Sequence, residues 1–226
     1  GSIYFAYGTS FNPSAESLSL AANNANLPPE ENQTFELGAK RDLFGDRLLL
    51  RGAIFRLEKT NAREVDPNNP LLNILAGGQR VDGFEIEAAG RITDRWQLLG
   101  GYSYLHGEVT DSAGAATAAR VGSPLTNTPR HTLALWSTYD LTNAWQIGGG
   151  VNYVSSRIAR NTSQPRLEVP GYWTFDAMAK YHLTANVDLQ VNLLNIGDKY
   201  YIDQIHPAHI VPGPGRTLLV STSFKF

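Results

Sequence analysis

The 226-residue sequence contains no cysteine, so thiol chemistry and disulfides contribute nothing to its fold. It contains no run of about eighteen apolar residues, which excludes a membrane-spanning helix. With 19 basic and 21 acidic residues, the net charge of −2 gives no reason to expect nucleic acid as a partner. No secretory signal opens the chain, so we expect a mature product or a fragment.

Signatures of catalysis are also missing. The sequence has no Gly-rich phosphate loop, no HExxH pair and no GxSxG elbow. Glu85 and Glu87 share one strand face, but Arg51 or Arg91 on that face would neutralise them as structural ion pairs. His206 and His209 have an HxxH spacing, yet Pro207 predicts an irregular loop rather than a metal-binding helix. We therefore predict no enzymatic activity, no metal site and no cofactor.

What the sequence does contain is a two-residue alternation of apolar and polar side chains, which is typical of half-exposed strands. Residues 187–194 show it strictly, with Val187, Leu189, Val191 and Leu193 on one face. The pattern predicts about ten strands. They lie near residues 2–11, 31–42, 47–58, 84–92, 96–106, 132–141, 145–155, 172–183, 187–194 and 216–226.

The connectors between these strands alternate in length. Short ones fall at FGD, TD, LTN and TAN, and long ones near residues 12–30, 60–80, 107–129, 157–171 and 197–215. Transmembrane β-barrels have short periplasmic turns and long extracellular loops, whereas a soluble sandwich has no reason to sort its loops by length. The sequence therefore predicts an all-β, transmembrane antiparallel β-barrel in an outer membrane.

In residues 47–58 both the odd-numbered and the even-numbered positions carry apolar side chains, so the pattern alone does not decide which set faces lipid. An Arg on the lipid face at the bilayer midplane costs about 2 to 4 kcal/mol. We therefore predict that Arg51 points inward, that Leu48, Leu50 and Ile54 face lipid, and that Arg56 reaches the outer interface.

Aromatic residues near both strand ends predict two girdles, with Trp96, Tyr139, Trp145 and Tyr181 on one side and Phe11, Tyr102, Tyr104, Tyr153 and Trp173 on the other.

The last two strands, NLLNIGDKYY and HPAHIVPGPGRTLLVSTSFKF, resemble the end of TonB-dependent outer-membrane receptors. The match is carried by Asn192, Asn195, Asp198, Lys199, Tyr200, Tyr201, Pro212, Gly213, Arg216, Phe224 and Phe226. The segments SIYFAYGTSFNPS and PEENQTFELGAKRDLFGDRL are similar to mid-barrel strands of that family. Ser221 stands where the family's terminal assembly signal often has Gly.

Family members build a barrel of about 22 strands around an N-terminal plug that carries the TonB box. The resemblance thus implies that residues 1–226 are the C-terminal portion of such a barrel, with the plug and the earlier strands absent. The unpaired first and last strands would then pair with the missing strands, which we favour, or close as a small barrel, or dimerise.

The sequences of these segments are most similar to those of receptors for catecholate-type ferric siderophores. The resemblance implies transport of that ligand, coupled through the plug to the TonB–ExbB–ExbD system, in a barrel surrounded by outer-membrane lipid and lipopolysaccharide. A ferric catecholate is an anion with aromatic faces, so its site should offer Arg and aromatic side chains. The ligand-binding candidates are Arg120, Arg130, Arg157, Arg160, Tyr200 and Tyr201, and Arg63, Arg80 and Arg166 also lie in or beside extracellular loops. The alternatives are a passive or structural barrel, a receptor for another TonB-dependent substrate, and an outer-membrane hydrolase.

Overall fold

The computed structural model describes residues 1–12, 27–66, 68–114, 120–160, 167–205 and 209–225. These residues form fourteen β-strands. In chain order they are β1 Ser2–Asn12, β2 Glu30–Leu43, β3 Leu48–Asp66, β4 Asn69–Arg91, β5 Trp96–Asp111, β6 His131–Asp140, β7 Trp145–Val154, β8 Arg157–Arg160, β9 Leu167–Val169, β10 Tyr172–Thr184, β11 Val187–Leu194, β12 Ile202–Ile205, β13 Ile210–Pro212 and β14 Thr217–Phe224. No described helix is long and apolar enough to cross a membrane.

Ten of these strands form a single antiparallel sheet in the order β1-β2-β3-β4-β5-β6-β7-β10-β11-β14. Each pairs with its neighbour in the chain, apart from two short hairpins, β8–β9 and β12–β13, which are inserted between members of the sheet. The ten predicted strands are therefore confirmed, as are their alternating long and short connections at four of the five long positions. The predicted tenth strand ended on Phe226, which lies outside the described residues.

The prediction of a long loop at residues 60–80 is wrong. β3 continues to Asp66 and β4 starts at Asn69, so these residues form the end of a long hairpin. Beyond Thr60, where the pairing with β2 ends, β3 pairs only with β4 among the described strands. Register shifts after Lys59, Ala62 and Val65 interrupt this pairing, as bulges do. The bulges break the two-residue alternation, which is why the pattern did not predict a strand here.

One face of the ten-stranded sheet is apolar and exposed. A row of paired residues, Phe5, Leu37, Ile54, Phe84 and Tyr104, crosses the first five strands on this face. Ile54 is 60% exposed, and Trp173 and Phe175 are 47% and 52% exposed. A soluble sandwich would bury such side chains, so that alternative is wrong. The total accessible surface of 13995 Å² exceeds the roughly 10,200 Å² of a compact monomer of this mass, as a single layer requires.

The opposite face is polar, and its charges are paired. Arg51 donates to Glu85 at 2.9 Å and lies 3.6 Å from Glu87, which confirms its predicted inward orientation and the predicted structural ion pairs. Leu50 and Ile54 lie on the apolar face as predicted, whereas Leu48 at the end of β3 is buried and not exposed to lipid. Trp136, which breaks the alternation of β6, lies on the polar face over Gly150 of β7, where an added Cβ would overlap its ring.

Aromatic side chains lie at both ends of the apolar face. At the short-turn end Trp96 is paired with Tyr139, and the Trp145 and Tyr181 ring centroids are 4.7 Å apart. At the long-loop end the Tyr153 and Trp173 rings stack at 4.3 Å. In β5, β7 and β10 the two aromatic positions are eight residues apart, a distance of about 26 Å along a strand. They match the two girdles that border the apolar band of a membrane barrel.

Two of the short turns share a Thr-x-x-Trp sequence with the same hydrogen bonds. The Thr93 hydroxyl accepts from the backbone N–H groups of Arg95 and Trp96 at 3.3 and 3.1 Å. The Thr142 hydroxyl accepts from Ala144 and Trp145 at 3.1 and 3.0 Å. In both turns the Thr hydroxyl accepts from the two N–H groups at the end of the turn, and it thereby fixes where the following Trp begins the next strand.

Candidate functional site

The long-loop end of the sheet carries the predicted ligand-binding residues on three connections. Arg120 and Arg130 lie between β5 and β6, Arg157 and Arg160 in β8 between β7 and β10, and Tyr200 and Tyr201 between β11 and β14. These connections leave adjacent or nearly adjacent strands, because β5, β6, β7, β10, β11 and β14 follow one another in the sheet. The topology therefore places all six residues at the long-loop end of the same part of the sheet, a region that we call the rim.

The start of the last connection is built around Asn195. Its side chain donates to the carbonyl oxygens of Lys199 and Pro214 at 2.9 and 3.1 Å and accepts from Lys199 N at 2.9 Å. Its own backbone N–H donates to Asp176 of β10 at 2.7 Å. The Asp198 carboxylate accepts from the backbone N–H of Arg216 at 2.8 Å. The NIGDK motif is thus a structural junction that holds both ends of this connection against β10.

Tyr201 packs at the centre of the same connection. Its ring centroid lies 4.3 Å from that of Tyr172, and its ring covers Gly213, where an added Cβ would overlap the ring carbons. The Gly213 N–H donates to the Tyr201 carbonyl oxygen at 3.0 Å. Burial, together with the nearby Asp203 carboxylate, raises the pKa of Tyr201, so the phenol remains neutral at physiological pH. These contacts give Tyr201 a packing role.

Tyr200, by contrast, projects away from the protein and is 73% exposed. Arg120, Arg130 and Arg160 are exposed as well, on the other two connections. The backbone carbonyl of Arg120 accepts from Ser123 and that of Arg130 accepts from Leu105, so the loop backbone is fixed where these side chains emerge. These four residues are the members of the predicted set that are accessible to a ligand arriving from the long-loop side.

Arg157 is the exception among the predicted arginines, because it is only 7% exposed. Its Nη1 donates to the Asn127 side-chain oxygen at 3.2 Å and to the Asp203 carbonyl oxygen at 3.1 Å, and its Nη2 donates to the Ile202 carbonyl oxygen at 2.7 Å. The sequence predicts that Arg157 is one of the ligand-binding residues. The structure places it between the loops.

The other arginines predicted near the loops are in ion pairs within the long β3–β4 hairpin region. Arg63 lies 4.0 Å from Glu30, and Arg80 pairs with Glu108 and, at 3.2 Å, with Asp82. Arg166 and His206 lie outside the described residues, so their predicted positions stay predictions. Within the part of the chain that the structure describes, no three His, Asp or Glu side chains form a group that could hold a metal ion.

Asn127, Asp176 and Tyr172 organise this region, and none was predicted to take part. Asn127 contacts Arg157 and also donates its backbone N–H to Ile158 at 2.9 Å, and it has a positive φ of 53°. An Asn flanked by Thr and followed by Pro gives a turn signal in the sequence. Its partner is 30 residues away, and nothing in the local pattern indicates a contact at that separation.

Comparison with known proteins identifies the family. Residues 1–196 match the family model described as TonB dependent receptor-like, beta-barrel. The chain is 36% identical to the probable TonB-dependent siderophore receptor PiuA of Acinetobacter baumannii, over 100% of this chain and 32% of that protein. It is 33% identical to the catecholate siderophore receptor Fiu of Escherichia coli K12, over 100% of this chain and 31% of that protein. The metal-pseudopaline receptor CntO of Pseudomonas aeruginosa is 36% identical over 88% of this chain and 28% of that protein.

Solved structures give the same result for the fold. The PiuA crystal structure superposes with a TM-score of 0.87 at 34% identity, covering 99% of this chain and 34% of that one. The closed form of Fiu superposes with a TM-score of 0.84 at 30% identity, covering 99% of this chain and 33% of that one. The chain thus spans about a third of the length of the relatives it matches. The apolar face is therefore the lipid face of an outer-membrane barrel, the polar face lines its interior, and the long-loop end is extracellular.

Members of this family are transporters and not enzymes, and the relatives just named are siderophore or metallophore receptors. The chain belongs to the TonB-dependent receptor β-barrel family.

Proposed function

We propose that this chain is the C-terminal portion of the barrel of a receptor that takes up ferric siderophores of the catecholate type. The plug and the remaining strands would come from outside these 226 residues. The strands at the two ends of the sheet, β1 and β14, would pair with those remaining strands, because unpaired backbone groups in hydrocarbon cost several kcal/mol each.

The observation that carries this proposal is the chemistry of the rim. The exposed side chains of Arg120, Arg130 and Arg160 supply positive charge, and Tyr200 supplies an exposed ring. An anionic chelate with aromatic faces is recognised by this combination, through charge and through stacking on the guanidinium and phenol planes. The similarity to Fiu, which is described as a catecholate siderophore receptor, supports the same ligand class.

A second ligand class has some support, because the metal-pseudopaline receptor CntO is as similar in sequence as PiuA is, at 36% identity. An uptake experiment tests the catecholate assignment. In an iron-starved strain that lacks its own siderophore receptors, the receptor carrying this chain should restore uptake of labelled iron from a catecholate chelate and not from hydroxamate or carboxylate chelates. Uptake should stop when TonB is deleted, because the transport is coupled to the plug.

Two results would contradict the proposal. Uptake that continues without TonB would indicate a passive barrel, and uptake from a hydroxamate or carboxylate chelate but not from the catecholate chelate would overturn the proposed ligand class. To connect uptake with the rim, Arg120, Arg130 and Arg160 should be replaced together by Gln, which we expect to lower the affinity for the ferric catecholate by about tenfold or more. Arg95→Gln is the matched control, since Arg95 is also an exposed arginine but lies in a short turn at the periplasmic end.

A further inference from the structure

Arg157 makes contact with two other extracellular connections at once. It lies in β8, and its guanidinium hydrogen-bonds Asn127 in the β5–β6 connection and the Ile202 and Asp203 carbonyls of β12 in the β11–β14 connection. These partners are 30, 45 and 46 residues away in sequence. No single strand pairing holds all three connections, so the guanidinium is a link between segments that the sheet itself does not join above the membrane.

The chemistry of the side chain suits this role. The three hydrogen bonds go to neutral oxygens, two of them backbone carbonyls, and a planar fork of N–H donors can satisfy several carbonyls in fixed directions. A lysine has a single point of charge and cannot reproduce this geometry. Because Arg157 is buried and its guanidinium donates to three protein oxygens, the side chain is not placed to touch a ligand.

Two further contacts join the same connections to each other or to the sheet. The Asn127 N–H donates to the Ile158 carbonyl oxygen, and this hydrogen bond joins the β5–β6 connection to β8. The Tyr172 and Tyr201 rings are in contact, with centroids 4.3 Å apart and planes tilted by 33°, which joins the β11–β14 connection to the start of β10. Arg157 shares the partner Asn127 with the first of these contacts, and its partner Ile202 follows Tyr201 in the chain. The described parts of the three connections are therefore joined around its guanidinium.

We propose that Arg157 is a positioning residue that holds the three extracellular connections as one body, so that Arg120, Arg130, Arg160 and Tyr200 meet the ligand in fixed relative positions. This inference rests on the proposed function for its ligand, and on contacts alone for the link between the loops. It differs from the sequence prediction, in which Arg157 itself contacts the ligand.

The link is tested by distances between spin labels on the three connections of the whole receptor without ligand. Val121, Leu167 and Ile210 are exposed at 62%, 57% and 51% and lie one in each connection, so they suit labelling. We expect narrow distance distributions in the parent receptor and clearly broadened ones in Arg157→Lys and Arg157→Ala. Asp203→Ala is the matched control: it keeps the backbone carbonyl that Arg157 uses, so the distributions should stay narrow. Distributions that remain narrow in both Arg157 variants would overturn the proposal.

The ligand-directed part is tested by titrating the same variants with a ferric catecholate. Arg157→Lys keeps the positive charge, so a role through charge alone predicts unchanged affinity, whereas lost positioning predicts a fall of about tenfold. Broadened distances with unchanged affinity would overturn the positioning role. A fall in affinity with narrow distances would show that Arg157 contacts the ligand and would also overturn it. If the parent receptor binds no ferric catecholate while the distances still broaden, the link stands and the proposed ligand class fails.

Discussion

Gly213 has no side chain, and this allows the Tyr201 ring to pack in the last extracellular connection. Tyr201 lies directly over it, and an added Cβ would overlap the Tyr201 ring. We expect Gly213→Ala to displace this ring, to disrupt its contact with the Tyr172 ring, and to cost about 1 to 3 kcal/mol of unfolding free energy, which is the usual cost of overpacking. Denaturant unfolding of the detergent-solubilised receptor, with the near-ultraviolet circular dichroism of the tyrosines, measures both effects.

The matched control is Gly197→Ala in the same connection, because no atom lies within 4 Å of the position that its Cβ would occupy. This substitution should leave stability and the tyrosine signal unchanged. A similar loss in both variants would mean that the connection tolerates no side chains for some reason other than the Tyr201 ring.

Asn195 is a second residue with a large expected effect. Asn195→Ala removes three side-chain hydrogen bonds and leaves a non-Gly residue at a positive φ of 48°, which Asn tolerates better than Ala. At about 1 kcal/mol for each bond, we expect a loss of about 3 kcal/mol in unfolding free energy. Asn192→Ala removes a single bond, which Asn192 accepts from Gln190 at 3.0 Å, and should cost less than about 1.5 kcal/mol. Equal losses would show that Asn195 is not a junction.

The periplasmic turns make a prediction about elements. Thr93 and Thr142 each accept two backbone N–H groups, so Thr93→Ala and Thr142→Ala should each lower stability by about 1 to 2 kcal/mol. Thr93→Ser and Thr142→Ser keep the hydroxyl and should retain most of the stability. Thermal unfolding of the four variants measures the difference. If the Ser variants lose as much as the Ala variants, the methyl group and not the hydroxyl stabilises the turn.

The strands also show how far the sequence predicts the fold. The alternation predicted all ten strands of the sheet, because each has one face in lipid and the other toward the barrel interior. It failed at residues 60–80, where β3 and β4 extend beyond the membrane and bulges shift the period. It also missed β8, β9, β12 and β13, which are three or four residues long and too short for a period to be recognised. Apolar and polar side chains alternate where one face of a strand is in contact with lipid, and the extracellular segments have no such contact.

The candidate site was less predictable than the fold, because its contacts join residues that are far apart in the sequence. The exposed Arg120, Arg130, Arg160 and Tyr200 followed from residue type and strand direction. The different situation of Arg157 depends on partners at least 30 residues away, which only the folded arrangement of the loops reveals. A chemically identical side chain is thus exposed at Arg160 and buried three residues earlier.

The orientation of the whole sheet in the membrane can be tested with two leucines at the same height. Leu135 is on the lipid face of β6, and Leu99 is on the interior face of β5, one position away from the residue that Leu135 pairs with. Leu135 lies midway between the two aromatic girdles, so Leu135→Arg should cost about 2 to 4 kcal/mol. Leu99→Arg, which faces the polar interior, should cost much less. Unfolding free energies in lipid bilayers give the comparison, and a larger cost at Leu99 would mean that the two faces are reversed.

The eight-residue separation of the girdle aromatics in β5, β7 and β10 limits how these strands can diverge. Inserting one residue between the two rings would turn one of them into the aqueous lumen, since neighbouring side chains in a strand point to opposite sides. Inserting two would keep both rings outside but move one by about 5 Å along the membrane normal, out of the headgroup layer, given the usual strand tilt. Relatives should therefore keep this segment of each strand at constant length, and insertions and deletions should accumulate in the parts that project from the cell.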